Sequence, residues 1–247
     1  MVECCSSFQL TSILIMCGST LLYAFFWTTV ILAPLKLTIV CQHELCHAIA
    51  ALLTCGKVKG ISISSNFGGV TTTVGGNRCV TLTAGYIGSV MFGCLYILLA
   101  VDNKNANYAG VAIYLFSCLI SFFILKTDKA SIGNCCTGLG LRLSILIVMG
   151  AFVGLWILEQ QEVWPEKYVM SWGLLVVGTG NVLFALFECV EDTFLNKVND
   201  VERGKSDAVM LAEEVCGSAR CWGLIWSAIC LGCIGGTIYA FLVLSGN

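Results

Sequence analysis

Apolar residues run along this chain in long blocks separated by short polar stretches, a pattern set by membrane thickness rather than by the face of an amphipathic helix. Crossing roughly 30 Å of hydrocarbon takes about 20 apolar residues in a helix. Blocks of that order lie near 9–33, 36–55, 80–101, 108–125, 141–158, 168–188 and 221–244. They predict an all-α polytopic membrane protein with six or seven transmembrane helices, forming a single integral membrane domain over residues 1–247. The first block has too long an apolar run, and no basic residue before it, to read as a cleaved signal peptide, and a retained helix is expected there. Pro34 marks a break after it. Gly56 is expected to stop the second helix as a C-terminal cap glycine.

One segment changes period. In "GISISSNFGGVTTTVGG", residues 60–76, Ile61 and Ile63 alternate with serines, "NFGG" supplies turn chemistry, and Val70, Thr72 and Val74 resume the alternation. This predicts a small membrane-associated β-hairpin, whose open strand edge is suited to holding an extended peptide. In the next block, Ala84 and Gly88, and Gly85 and Ser89, fall four apart, the spacing at which small residues let membrane helices approach closely. Packing accounts for them without any chemistry. Ser206 reads as the N-cap of a short helix through "DAVMLAEEV" in an otherwise solvated linker. Trp222 and Trp226 open the last block at the depth of an aromatic belt.

Composition agrees: of 247 residues 57% are hydrophobic and only 11% charged, less than half the roughly 25% charged of soluble domains. A net charge of −2 gives no basic surface for nucleic acid, so the expected partners are membrane lipid and membrane-spanning proteins. Basic residues cluster in alternate loops: Lys57, Lys59 and Arg78; Lys126, Lys129 and Arg142; Lys197, Arg203, Lys205 and Arg220. Only Lys104 and Lys167 lie in the intervening loops, so the three basic loops are expected to share the cytosolic side, with the C-terminus opposite. The sixteen cysteines are scattered through apolar blocks and read as buried hydrophobes rather than a disulfide framework. Cys4-Cys5 and Cys135-Cys136 lie near membrane ends, where palmitoylation is an option.

The chain has two histidines, and both fall in "CQHELCHAIAALLT", residues 41–54. His43 and His47 are i and i+4 on a helix, so their imidazoles project from one face and can meet one ion. In a His-Glu-x-x-His pattern the histidines bind zinc, while the glutamate, here Glu44, serves as base for water. Ionisable groups at bilayer depth are costly unless paired or metal-bound, which makes a role in packing alone a poor explanation. Cys46 points about 100° away from His47 and reads as packing, as does Cys41. A catalytic zinc site takes a third protein ligand. With no histidine left, an acid at the end of the sixth block is expected to supply it: Glu188 first, then Asp192, then Glu191. A zinc-binding membrane protein without hydrolytic activity would use the same groups. So would a metal transporter, although transporters tend to carry repeated halves, and no second copy of the motif is present.

These motifs resemble the intramembrane zinc metalloproteases of the site-2 protease type, in particular a compact branch described as peptidase M50-like. "QHELCHAIAALLTCGKVKGISIS" resembles the zinc helix and following strand, "GGVTTTVGG" the hairpin and "LTAGYIGS" the start of the next helix. "FECVEDTFLNKV", "SDAVMLAEEV" and "CWGLIW" are similar to the closing acidic segment and last span. The resemblance implies a Zn2+ cofactor, His43 and His47 as ligands, Glu44 as catalytic acid/base, and an acid of "FECVED" as the remaining ligand. It also implies hydrolysis of peptide bonds in membrane-spanning substrates. Two positions depart from the pattern. Cys46 stands where glycine is common, and no "LDG" occurs, Glu188 standing where the compact branch tends to have Asp.

Overall fold

The computed structural model describes residues 6–27, 29–63, 68–124, 132–161, 168–191, 193 and 206–245. Among these residues are eight α-helices: α1 (Ser7–Phe26), α2 (Ala33–Leu53), α3 (Arg78–Leu99), α4 (Lys104–Ile124), α5 (Ile132–Gln160), α6 (Val169–Val190), α7 (Asp207–Glu214) and α8 (Ala219–Ser245). A two-stranded hairpin, β1 (Lys57–Ile63) and β2 (Gly69–Val74), joins α2 to α3.

Six of the helices, α1, α3, α4, α5, α6 and α8, are long and apolar enough to cross a membrane. The other two are α7, which is eight residues long, and α2. Lys36, Gln42, His43, Glu44 and His47 lower its hydropathy, yet all five are buried. It is an interior helix whose polar side chains find protein partners rather than lipid. Gln42 donates to the hydroxyls of Tyr96 (2.6 Å) and Ser117 (2.7 Å), and Thr38 shares a hydrogen bond of 2.9 Å with Tyr114. Such pairing keeps polar groups tolerable in a water-free interior.

Local sequence sets the helix ends. Ser6 and Gln9 form a capping box at the start of α1, Asn77 accepts from the Val80 amide at the start of α3, and Pro34 lies in the first turn of α2. The stop of α2 differs from expectation. Cys55, not Gly56, takes the left-handed conformation (φ 64°), and the Cys55 and Gly56 amides donate to the Leu52 and Ala51 carbonyls in a Schellman arrangement. Gly56 is needed one residue later, where a Cβ would meet the Gly75 carbonyl oxygen at 2.9 Å.

The hairpin forms as the alternation predicts, with Ile61 opposite Thr71 and Ser62 opposite Val70. It begins earlier than expected, at Lys57, with a register irregularity between Val58 and Gly60. Residues 64–67 of its turn lie outside the described residues.

Across the bundle core, α3 and α6 come into backbone contact: a Cβ on Gly178 would meet the Gly93 carbonyl oxygen at 3.0 Å. The Arg78–Glu214 ion pair (2.8 Å) ties the loop around 56–79 to that around 189–220, so these two basic loops share one side. Trp226 faces the bundle interior rather than lipid. It is buried and stacks on Tyr86 with ring centroids 4.4 Å apart. All cysteines among the described residues are free thiols. Cys4, Cys5 and the side chains of Cys135 and Cys136 lie outside what is described.

Candidate metal centre

The site is built from four helices, α2, α3, α6 and α7, and one strand, β2. His43 and His47 lie one turn apart on α2 with their Nε2 atoms 3.1 Å from each other. Their ligand nitrogens and a Glu44 carboxylate oxygen all lie within 4.8 Å of one another. All three residues are buried.

Each imidazole is oriented from behind by α3. His47 Nδ1 is 2.6 Å from the Thr81 carbonyl oxygen. A carbonyl only accepts, so Nδ1 carries a proton, which leaves Nε2 as the ring atom that faces the site. His43 Nδ1 lies 3.2 Å from Ser89 Oγ. The edges of Tyr86 and Phe184 enclose the His43 ring, with centroids at 5.6 and 5.3 Å.

The carboxylate that reaches both imidazoles is Asp207, on the first residue of α7. Its Oδ2 is 3.0 Å from His47 Nε2 and 3.4 Å from His43 Nε2. Ser206 caps α7 by accepting from the Val209 amide, which fixes the helix start. The Arg78–Glu214 pair holds the other end of α7 against the start of α3. Burial alone would raise the Asp207 carboxyl, but the imidazoles of His47 and His43 outweigh it and hold the group below the ordinary carboxylate range. Asp207 is therefore an anion at neutral pH.

The acid in this position differs from the one favoured by sequence. Glu188 is half-buried in the last turn of α6, and Glu191 follows at the helix end. There α6 turns toward α8: a Cβ on Gly223 would meet the Cys189 carbonyl oxygen at 3.1 Å. Asp192 lies outside the described residues. The sequence around Asp207 reads as a solvated linker and does not mark it as a ligand, although the Ser206 cap puts an acid at the first position of a helix. Gly85 and Ser89, read as packing residues, both touch the histidines. Cys46 behaves as expected, packed against α3 where Gly88 leaves space.

The donor set fits a divalent metal ion. Three acceptor atoms, two imidazole nitrogens and one carboxylate oxygen, converge at 3.0–3.4 Å. A proton bridges two atoms, whereas a cation satisfies all three. Ligands about 2.0–2.1 Å from a tetrahedral zinc stand about 3.3 Å apart, close to the separations found. Gly85 supplies the space: a Cβ there would fall against both Nε2 atoms.

Glu44 is held from the hairpin side. Thr71 Oγ1 donates to Glu44 Oε2 at 2.6 Å and lies 3.0 Å from the Glu44 carbonyl oxygen.

No curated protein and no solved structure matches the chain. The family model described as Peptidase M50B-like matches residues 16–237. That span includes α2 with its histidine pair, the hairpin, α3 and the Asp207 helix, so the match covers every element that builds the site. The chain belongs to the Peptidase M50B-like family.

Proposed function

We propose that the protein is a multi-pass intramembrane zinc metalloprotease that hydrolyses peptide bonds of membrane-spanning substrates. The observation that carries this reading is the convergence of His43, His47 and Asp207 on one point, with the Glu44 carboxylate beside it. His43, His47 and Asp207 would hold Zn2+, Asp207 taking the role that the sequence assigned to Glu188 or Asp192. Zinc bound there supplies a Lewis acid that makes water a nucleophile near neutral pH and polarises the scissile carbonyl.

The chain's own groups do the rest. The Thr81 carbonyl and Ser89 hydroxyl keep the imidazoles oriented, so that little reorganisation is needed on binding. Glu44 takes the proton of the attacking water and returns it to the leaving amine, since its carboxylate is near the metal ligands without being one of them. Tyr86 and Phe184 wall the His43 side and limit water there.

A transmembrane substrate must unwind locally, because helical carbonyls are already hydrogen-bonded and shielded. Among the described residues β2 pairs with β1 alone. An extended substrate segment would add along the edge of β2 away from β1, and β2 carries the contact to Glu44.

The test is incubation of wild type and Glu44→Gln with candidate membrane proteins. Fragments that appear with wild type only, while both proteins hold zinc, are the expected result. Normal turnover by Glu44→Gln would contradict the role given to Glu44. A metal-loaded wild type that cleaves nothing would favour a non-hydrolytic partner-binding protein.

A further inference from the structure

We infer that Thr71 on β2 is a positioning residue for Glu44, and that the hairpin thereby sets the orientation of the proton-transferring carboxylate. The inference rests on the hydrolytic reading of the site. A glutamate side chain has several rotatable bonds, and a base that must face one water molecule gains from being held. The hold comes from β2 rather than from α2. The Thr71 hydroxyl donates to Glu44 Oε2 at 2.6 Å, a short bond to a charged acceptor and so of the stronger kind.

Gly69, two residues earlier, is on the same face of the strand, because side chains alternate with period two. A Cβ at Gly69 would fall on the Glu44 carboxyl, nearest Oε1. One strand face thus supplies a donor to one carboxylate oxygen and clearance for the other. Oε2 is engaged, and Oε1 accepts no hydrogen bond among the described residues, which leaves it for proton transfer. Ile61, opposite Thr71 in the register, is buried and fixes the strand pair against the bundle.

Threonine and valine have nearly the same shape and both favour strands, so Thr71→Val removes the hydroxyl and little else. The experiment measures kcat, KM and zinc content of the full-length protein in detergent micelles. The substrate is a quenched-fluorescent peptide with one apolar span that the wild type cleaves. Thr71→Val is expected to lower kcat about 10- to 100-fold, the range for losing a hydrogen bond to a charged group. KM should stay within about twofold and zinc at the wild-type level. Thr71→Ser, which restores the hydroxyl, should recover kcat to within about threefold.

Wild-type kcat in Thr71→Val overturns the inference. Loss of zinc in that variant, or equal loss of activity in Thr71→Val and Thr71→Ser, also overturns it, because the side chain would then be acting through architecture. If Thr71→Val does not accumulate, Thr71→Ala against Thr71→Ser decides the same question. An active wild type with an equally active Thr71→Val sinks this inference alone. An inactive, zinc-loaded wild type sinks the hydrolytic reading beneath it.

Discussion

Two helices feed the candidate metal centre, and they could hardly differ more. The first, α2, is 21 residues long, lies in the bundle interior and brings His43, Glu44 and His47 from one turn of sequence. The second, α7, is eight residues long, comes from the most polar part of the chain and brings one atom set, the Asp207 carboxylate. The first contribution is a matter of helix period, since residues four apart share a face whatever surrounds them. The second depends on where a distant segment docks, which in turn depends on a cap, an ion pair and the packing of α7 on α3. A pair of imidazoles can be brought together locally, but the carboxylate that joins them is placed by tertiary structure.

The same contrast explains what could be read in advance. Apolar block lengths predicted the helices, because bilayer thickness constrains them directly. Residues 36–55 also looked like a span, but α2 is an interior helix, and the ionisable groups that marked its chemistry are what remove it from the lipid-compatible set. The hairpin was legible from the alternation of Ile61 and Ile63, and of Val70, Thr72 and Val74. Its contact with Glu44 was not, because no local pattern states which strand face meets α2. Gly85 and Ser89 were seen as small residues four apart, but their proximity to the histidines follows from how α3 docks on α2. The shift from Glu188 to Asp207 has the same origin. Glu188 ends a long apolar helix, whereas the carboxylate that lies beside both imidazoles is Asp207, brought there by the docking of α7.

Several substitutions sharpen the comparison between the two helices. The largest effect is expected from His47→Ala, which removes a ligand from α2 and should abolish zinc binding and lower turnover by roughly a thousandfold or more. Metal analysis and fragment release check this together. Gly85→Ala is expected to come close to it without changing any ligand, because its methyl group would occupy the space between the two Nε2 atoms. Loss of zinc with retained folding, read by metal analysis and thermal unfolding, is the expected outcome. A fully zinc-loaded Gly85→Ala protein would contradict the placement of the site.

Ser89→Ala removes the partner behind His43 and should weaken zinc affinity about 10- to 100-fold, as losses behind a metal-bound imidazole do. Competition with a chelator of known affinity measures it. The smallest effect belongs to Arg78→Ala. The Arg78–Glu214 pair that anchors α7 is substantially exposed, with side chains 58% and 42% accessible. Exposed pairs are worth at most about 1 kcal/mol, so zinc affinity should fall no more than about fivefold. A much larger fall would mean that α7 depends on this one contact to deliver Asp207.

The central claim is that the site draws its third ligand from α7, and zinc stoichiometry in matched variants tests it most directly. Asp207→Ala and Glu188→Gln would be purified beside wild type and each assayed for bound zinc after dialysis against a weak chelator. The account predicts about one zinc per chain in wild type and Glu188→Gln, and little or none in Asp207→Ala. A zinc-loaded Asp207→Ala protein beside an empty Glu188→Gln protein would contradict it.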